Sequence, residues 1–185
     1  MRLKKWDYRN DGHYFVTMIT KNREPHFGEI IRGEMLLSAM GNIAEEELLK
    51  TGNNRENVFI DEFCIMPDHV HCIVIISDME YDSPVSCRRA GRPLRSRVAR
   101  YATTGDTGSA LLSPRPGSLS AVIRAYKSAV TRRCRESGYE QFAWQPRFYD
   151  RIIRDQDELN NVRRYIRNNV KKWEINRGEG KDRGE

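Results

Sequence analysis

The chain has 185 residues, with 32 Lys and Arg against 26 Asp and Glu, a formal charge of +6 and a pI near 9.2. That length suits one domain with a real core and room for one insertion, and the basic balance favours polyanionic partners. Cys64, Cys72, Cys87 and Cys134 form no CxxC pair and no leader-like apolar segment opens the chain. The longest apolar run, Cys72 to Ile76, is far short of the roughly 20 residues of a membrane helix. A soluble, reduced, cytoplasmic protein is expected, with no membrane partner.

After a basic, aromatic opening and an Asp11-Gly12 turn, His13 to Thr20 is β-branched and aromatic and predicts a first strand. Phe27 to Ile31 and Glu34 to Leu37 flank Arg32-Gly33 as a small hairpin whose register the pattern leaves open. From Ser38 a helix is predicted, with Met40, Ile43, Ala44 and Leu48 as its apolar stripe, Glu45 to Glu47 as its wet side and Gly52 as its C-cap. Val58 to Met66 and His69 to Ser77 read as two strands around a Pro67-Asp68 corner. The simplest pairing is antiparallel, because a parallel pair needs a long crossover.

Residues 78 to 117 turn to Pro, Gly, Ser, Thr and scattered arginines, an insertion expected to be mobile. Ser118 to Ser137 is the clearest helix, with Leu119, Val122, Ile123, Tyr126 and Val130 on one stripe and Arg124, Lys127, Arg132 and Arg135 off it. Phe142 to Arg154 predicts a last strand in which Pro146 suits an edge, and Asp155 caps a final helix running through Trp173.

The order strand, helix, strand, strand, helix, strand, helix predicts an α+β fold, a ferredoxin-like antiparallel sheet with helices packed on one face, plus a C-terminal tyrosine-bearing helix. The two strands around Pro67-Asp68 are expected at its centre. Residues 1–175 are expected to form a single domain and 176–185 a flexible tail.

His69 and His71 lie one residue apart at the start of a strand, so both imidazoles project from one face, within reach of one metal ion or one phosphate. A polar surface pair is the alternative. A closed zinc site with Cys64 and Cys72 is disfavoured, because Cys72 points away from His71 and Cys64 precedes the corner. Both thiols fit small core positions. Tyr165 and Asn169 share a helix face at i and i+4, presenting a phenol beside an amide oxygen of the kind magnesium or manganese prefers. His13 and His26 are expected to be structural.

Met66-Pro67-Asp68-His69-Val70-His71 resembles the HUH motif of the single-tyrosine HUH transposases, and Tyr165-Ile166-Arg167-Asn168-Asn169 resembles their tyrosine helix. Tyr14 to Arg23, Phe27-Gly28, Tyr126 to Thr131 and Trp144 to Arg154 extend the resemblance to the branch of REP-associated tyrosine transposases with an IS200-like domain. It spans nearly the whole chain outside the insertion and tail. One departure is Val170, where many relatives carry proline. Without that proline the helix can continue.

The resemblance implies cleavage and rejoining of single-stranded DNA at hairpin-associated sites. It assigns Tyr165 as nucleophile and His69, His71 and Asn169 as ligands of Mg2+ or Mn2+. Lys127 falls where the family carries a helix lysine, and Arg124 and Arg132 can join it on phosphate oxygens, unless they form a merely solvated face. Arg147 and Tyr149 complete the expected DNA-binding set, Tyr149 and Phe148 by stacking on unpaired bases unless they pack in the core, where Trp144 is expected. The partner would be single-stranded or hairpin DNA, with a monomer and a homodimer both open. Two other functions remain: a non-catalytic module that binds nucleic-acid hairpins, and a metal-dependent phosphodiesterase that uses water.

Overall fold

The computed structural model describes residues 11–53, 55, 57–77 and 117–173. The insertion, apart from Gly117, and the tail lie outside the described residues. Among the described residues the elements follow in the order β1 (Gly12–Ile19), β2 (Gly28–Ile31), β3 (Glu34–Leu37), α1 (Ala39–Asn53), β4 (Val58–Met66), β5 (His69–Ile76), α2 (Leu119–Glu136), β6 (Tyr149–Ile153) and α3 (Gln156–Arg167). Four strands make an antiparallel sheet in the order β4-β5-β1-β6, and β2 and β3 form a separate hairpin. The result is the expected α+β fold. Among the described residues no helix is long and apolar enough to cross a membrane.

The sheet carries a helical layer on each side, and strand alternation sorts its residues between them. Tyr14, Val16, Met18, Val70, Cys72, Val74 and Ile76 face α1 and α2, which press Ile43, Ala44 and Leu48, and Leu119, Val122, Ile123, Tyr126, Val130 and Cys134, onto them. Ile73, Ile75 and Ile153, with Phe15, Phe59 and Cys64 beside them, face α3 and its Leu159, Val162 and Ile166. All eight residues of β5 are buried, as a strand covered on both faces must be. Ser118 caps α2 and Asp155 caps α3, each side chain accepting a backbone N–H of the first turn.

Several expectations are corrected. The centre of the sheet is β5 with β1, not β5 with β4. The tight corner leaves one side of β5 open, β1 takes it along its full length, and β4 is left at the edge. The hairpin register pairs Ile31 with Glu34, closed by Arg32 and Gly33 at φ 52° and 76°. Gly52 lies inside α1, against Ile60, and is no C-cap. Glu47 is not on the wet side: it is 9% exposed and accepts from Lys50 Nζ at 2.8 Å and Arg133 Nη1 at 2.9 Å, tying α1 to α2. Of the last predicted strand only Tyr149–Ile153 forms, Trp144 making a single bridge to Thr20. The final helix breaks at Asn168 and resumes over 169–173.

Candidate metal and nucleophile site

The Pro67-Asp68 corner is tied to the end of β1, since the Asp68 carbonyl accepts from both Thr20 N and Thr20 Oγ1 at 2.9 Å. His69 leaves the corner directly, and alternation sends it and His71 to the α3 side. They are 7% and 6% exposed. Their Nε2 atoms face one another at 3.0 Å, with ring centroids 4.5 Å apart.

Each outer nitrogen is engaged. His69 Nδ1 meets Asp68 Oδ1 at 2.5 Å, and His71 Nδ1 meets the hydroxyl of Thr17, its register partner in β1, at 2.8 Å. Burial and the neighbouring His69 push His71 down to about 3, so it is neutral at physiological pH. Burial alone would raise the Asp68 carboxyl, but the bonds from His69 and Arg23 outweigh it and hold it below the usual carboxylate range.

Two inward-facing imidazole nitrogens this close need a proton or a cation between them. Two ligand atoms at right angles, each about 2.1 Å from one ion, lie about 3.0 Å apart. The observed separation fits that geometry, and the outward ties are those that orient metal-binding histidines. Among the described residues no group of three or more His, Cys, Asp and Glu side chains is placed to hold a metal ion.

Helix α3 brings Tyr165 over the pair. Its hydroxyl is 3.5 Å from His71 Nε2, its ring meets His71 edge-on at 5.4 Å, and it is 41% exposed. Phe15 stacks on His71 at 5.3 Å and holds the edge of Tyr165 at 5.9 Å. Trp173 packs its ring 5.6 Å from that of His69. Asn169, the first residue after the break at Asn168, is only 7% exposed. Lys172 sets its ammonium 5.8 Å from the Tyr165 ring.

The helix is fastened in place by charge as well as by its apolar stripe. Arg163 makes two bonds to the fully buried Asp61 of β4, at 2.7 and 2.6 Å, and Arg167 reaches Glu62 at 2.7 and 2.6 Å. These acids lie where the pairing of β4 with β5 shifts register between Ile60 and Phe63.

The thiols stay outside this chemistry. Cys72 points to the opposite face and its thiol is pushed up to about 12 by burial. Cys64 pairs in register with His71 on the same face, yet burial raises its thiol to about 11 and its sulfur sits against Met66 Sδ at 3.5 Å. His26 pairs with Glu24 and edges Phe142, while His13 lies on the α3 face of β1 with burial lowering its pKa.

The expected DNA-binding residues fall on two sides of the sheet. Arg124, Lys127 and Arg132 line a groove of ≈ 790 Å3 between α2 and the 143–148 segment, together with Arg135, Trp144 and Phe148. Lys127 donates to the carbonyls of Gln145 at 2.5 Å and Arg147 at 3.4 Å, and burial pushes its pKa down to about 8. Trp144 packs against the core, as expected, and donates to the Lys127 carbonyl at 3.2 Å. Arg147 is exposed outside the groove. Tyr149 is 66% exposed and pairs in register with Thr17, which puts it on the histidine face.

Thr17, Asp68, Phe15 and Trp173 were not among the expected site residues. Thr17 had one signal, a hydroxyl between Val16 and Met18 in the first strand.

No family model matches the chain. An uncharacterized protein of Haemophilus influenzae (strain ATCC 51907 / DSM 11121 / KW20 / Rd) is 31% identical over 174 residues, which cover 94% of this chain and 88% of that protein. Among solved structures, a REP-associated tyrosine transposase bound to a REP hairpin superposes with a TM-score of 0.56 at 20% identity, over 93% of this chain and 74% of that chain. A Deinococcus radiodurans R1 structure covers 91% of this chain and 96% of its own at TM-score 0.45 and 12% identity. The chain belongs to one family with the Haemophilus influenzae protein, and its fold is the IS200-like fold of the REP-associated tyrosine transposase.

Proposed function

We propose that the protein is a metal-assisted single-strand DNA transposase, an enzyme that nicks and rejoins DNA at hairpin-associated sites through Tyr165. The observation that carries this reading is the placement of the Tyr165 hydroxyl 3.5 Å from His71 Nε2, beside a histidine pair spaced for one cation. The hairpin held by the REP-associated tyrosine transposase supports hairpin or single-stranded DNA as the partner.

His69, His71 and Asn169 would hold Mg2+ or Mn2+, which supplies Lewis-acid polarisation of the scissile phosphate and neutralises charge developing on it. Tyr165 is open to solvent on one side, so its phenolic proton has a route to water. Its oxygen attacks phosphorus as the bond to the 3′ oxygen breaks, leaving a 5′-phosphotyrosine and a free 3′-hydroxyl. A later attack by a 3′-hydroxyl on that linkage restores Tyr165 and rejoins the strand without ATP. Phe15 and Trp173 wall the imidazoles against water, and the Arg124, Lys127 and Arg132 groove on the other side of the sheet can take hairpin phosphates. Arg147, and Tyr149 on the histidine face, would meet the unpaired strand, Tyr149 by stacking.

Covalent capture tests this. The protein is incubated with a broad panel of labelled single-stranded hairpins and Mg2+ or Mn2+, and a denaturant-resistant adduct is expected that disappears in Tyr165→Phe and in His71→Ala. Binding without adduct or cleavage across the panel would establish the non-catalytic hairpin-binding module. Turnover that survives Tyr165→Phe but not His69→Ala would establish the water-using phosphodiesterase.

A further inference from the structure

The outward ties of the two histidines differ in kind. Asp68 takes Arg23 Nη1 on one carboxylate oxygen and His69 Nδ1 on the other, so both oxygens accept, His69 Nδ1 carries the proton and His69 Nε2 turns its lone pair toward His71. Thr17 offers a hydroxyl that both donates and accepts, so His71 can carry its proton on either nitrogen. With the proton on Nε2, His71 donates to His69 and receives from Thr17. With the proton on Nδ1, His71 donates to Thr17 and both Nε2 lone pairs face the gap.

Asp68 is itself held from several sides. It is 4% exposed, its carbonyl takes two bonds from Thr20, and its second carboxylate oxygen takes Arg23 Nη1 at 3.2 Å. Arg23 and its neighbour Asn22 sit at φ 57° and 56°, a backbone region that side-chain-bearing residues rarely occupy. Such conformations persist where the surroundings over-determine them, often at functional sites.

We propose that Asp68 and Thr17 are positioning residues for the cation site, Asp68 fixing His69 in one tautomer and Thr17 letting His71 exchange one tautomer for the other as a divalent cation enters. The exchange moves one proton from Nε2 to Nδ1 of the same ring and releases none. The inference deepens the metal-assisted reading above and rests on it.

The test uses the full chain, 15N-labelled and free of metal at neutral pH, with ring-nitrogen protonation read from long-range 1H–15N correlations. Mg2+ is then titrated in, and Mn2+ affinity is measured separately by loss of the free-ion EPR signal. Wild type is expected to keep His69 protonated on Nδ1 throughout, while His71 moves its proton from Nε2 to Nδ1 as Mg2+ binds. Asp68→Ala is expected to let His69 populate its Nε2–H form and to weaken Mn2+ by about 10- to 100-fold, with Asp68→Asn recovering part of the loss. Thr17→Val is expected to weaken Mn2+ by about tenfold and Thr17→Ser to restore it. Circular dichroism checks each variant for folding, and the conservative Asp68→Asn and Thr17→Ser carry the comparison if a truncation fails to fold.

His69 protonated on Nε2 in wild type, or folded variants with unchanged tautomers and Mn2+ affinity, would overturn the proposal. If wild type takes up neither ion but His69 still changes tautomer in Asp68→Ala, the metal-assisted reading and the Thr17 exchange fall while the hold of Asp68 on His69 stands.

Discussion

Arg163 of α3 and Asp61 of β4, 102 positions apart in sequence, close a two-bond ion pair at 2.7 and 2.6 Å around a carboxylate with no exposure at all. A fork of two parallel charge-assisted bonds fixes orientation as well as distance, so it sets how α3 lies on the sheet two residues before Tyr165. Asp61→Ala strands the largely buried guanidinium, and removing one partner of such a pair costs about 3–5 kcal/mol. Urea denaturation is expected to show that loss. The outer pair, Arg167 with Glu62, is half exposed on the arginine side, so Glu62→Ala is expected to cost less than about 1 kcal/mol. Equal losses from the two variants would show that the inner pair is not what fastens the helix.

A different kind of constraint acts where α1 begins. A Cβ built on Gly41 would lie 2.1 Å from the Phe27 carbonyl oxygen, a backbone atom that cannot swing aside. Gly41→Ala must therefore push α1 away from the segment ahead of the hairpin, an overpacking cost of about 1–3 kcal/mol. Gly138→Ala is the control: it has open space around it, and only its φ of 91° opposes a side chain. Thermal melts are expected to drop further for Gly41→Ala, and an unchanged melting temperature there would refute the close approach.

The legible parts of this molecule were those governed by short-range periodicity. His69 and His71 share a face because strands alternate, so that pairing could be read before any fold was known, whereas the break at Asn168 between Tyr165 and Asn169 could not. Nor could what holds the pair in place. Thr17 reaches His71 only because β1 pairs with β5 in one register, and pairing between strands more than 50 residues apart leaves no local trace. Glu47 reads as solvated in its acidic run, and its burial depends on Arg133 arriving from another helix. The edge position of β4 likewise follows from competition between strands for one side of β5.

Lys127 gives the fold a pH signature. Its pKa is lowered from 10.5 to about 8 by burial, so above pH 8 the folded chain surrenders this proton while the unfolded chain still holds it. More protons on the unfolded state mean that stability rises with pH. This residue therefore adds stability progressively as pH climbs from about 8 to 10.5, and withholds it below 8. Urea midpoints measured across that range are expected to rise less in Lys127→Met than in wild type. Parallel curves would show that the ammonium keeps its proton through its carbonyl bonds.

The groove that Lys127 shares with Arg124 and Arg132 makes a separate prediction about DNA. Phosphate contacts contribute to affinity through counterion release, so each one lost lowers the slope of log affinity against log salt by about 1. Arg124→Ala and Arg132→Ala are each expected to do so with a hairpin substrate and to leave sequence preference alone. Tyr149→Ala removes a stacking surface instead, so it is expected to lose about 1–3 kcal/mol of binding to single-stranded DNA without changing the slope. Unchanged slopes in both arginine variants would mean that the groove does not hold phosphate.

Tyr165 meets His71 within one chain, which favours a site that each chain completes for itself. If the helix of one chain served the histidines of another, mixing His69→Ala with Tyr165→Phe would rebuild a whole site from an intact tyrosine and an intact pair. Here α3 is committed to its own sheet by Leu159, Val162 and Ile166 in the apolar layer and by the Arg163–Asp61 fork. Detaching it would expose those side chains and break a buried ion pair, together several kcal/mol. The mixed variants are therefore expected to give no covalent adduct with hairpin DNA at any ratio or concentration. Adduct that grows with the product of the two concentrations would show that the tyrosine works in a partner's site, and that the docked helix is one of two states.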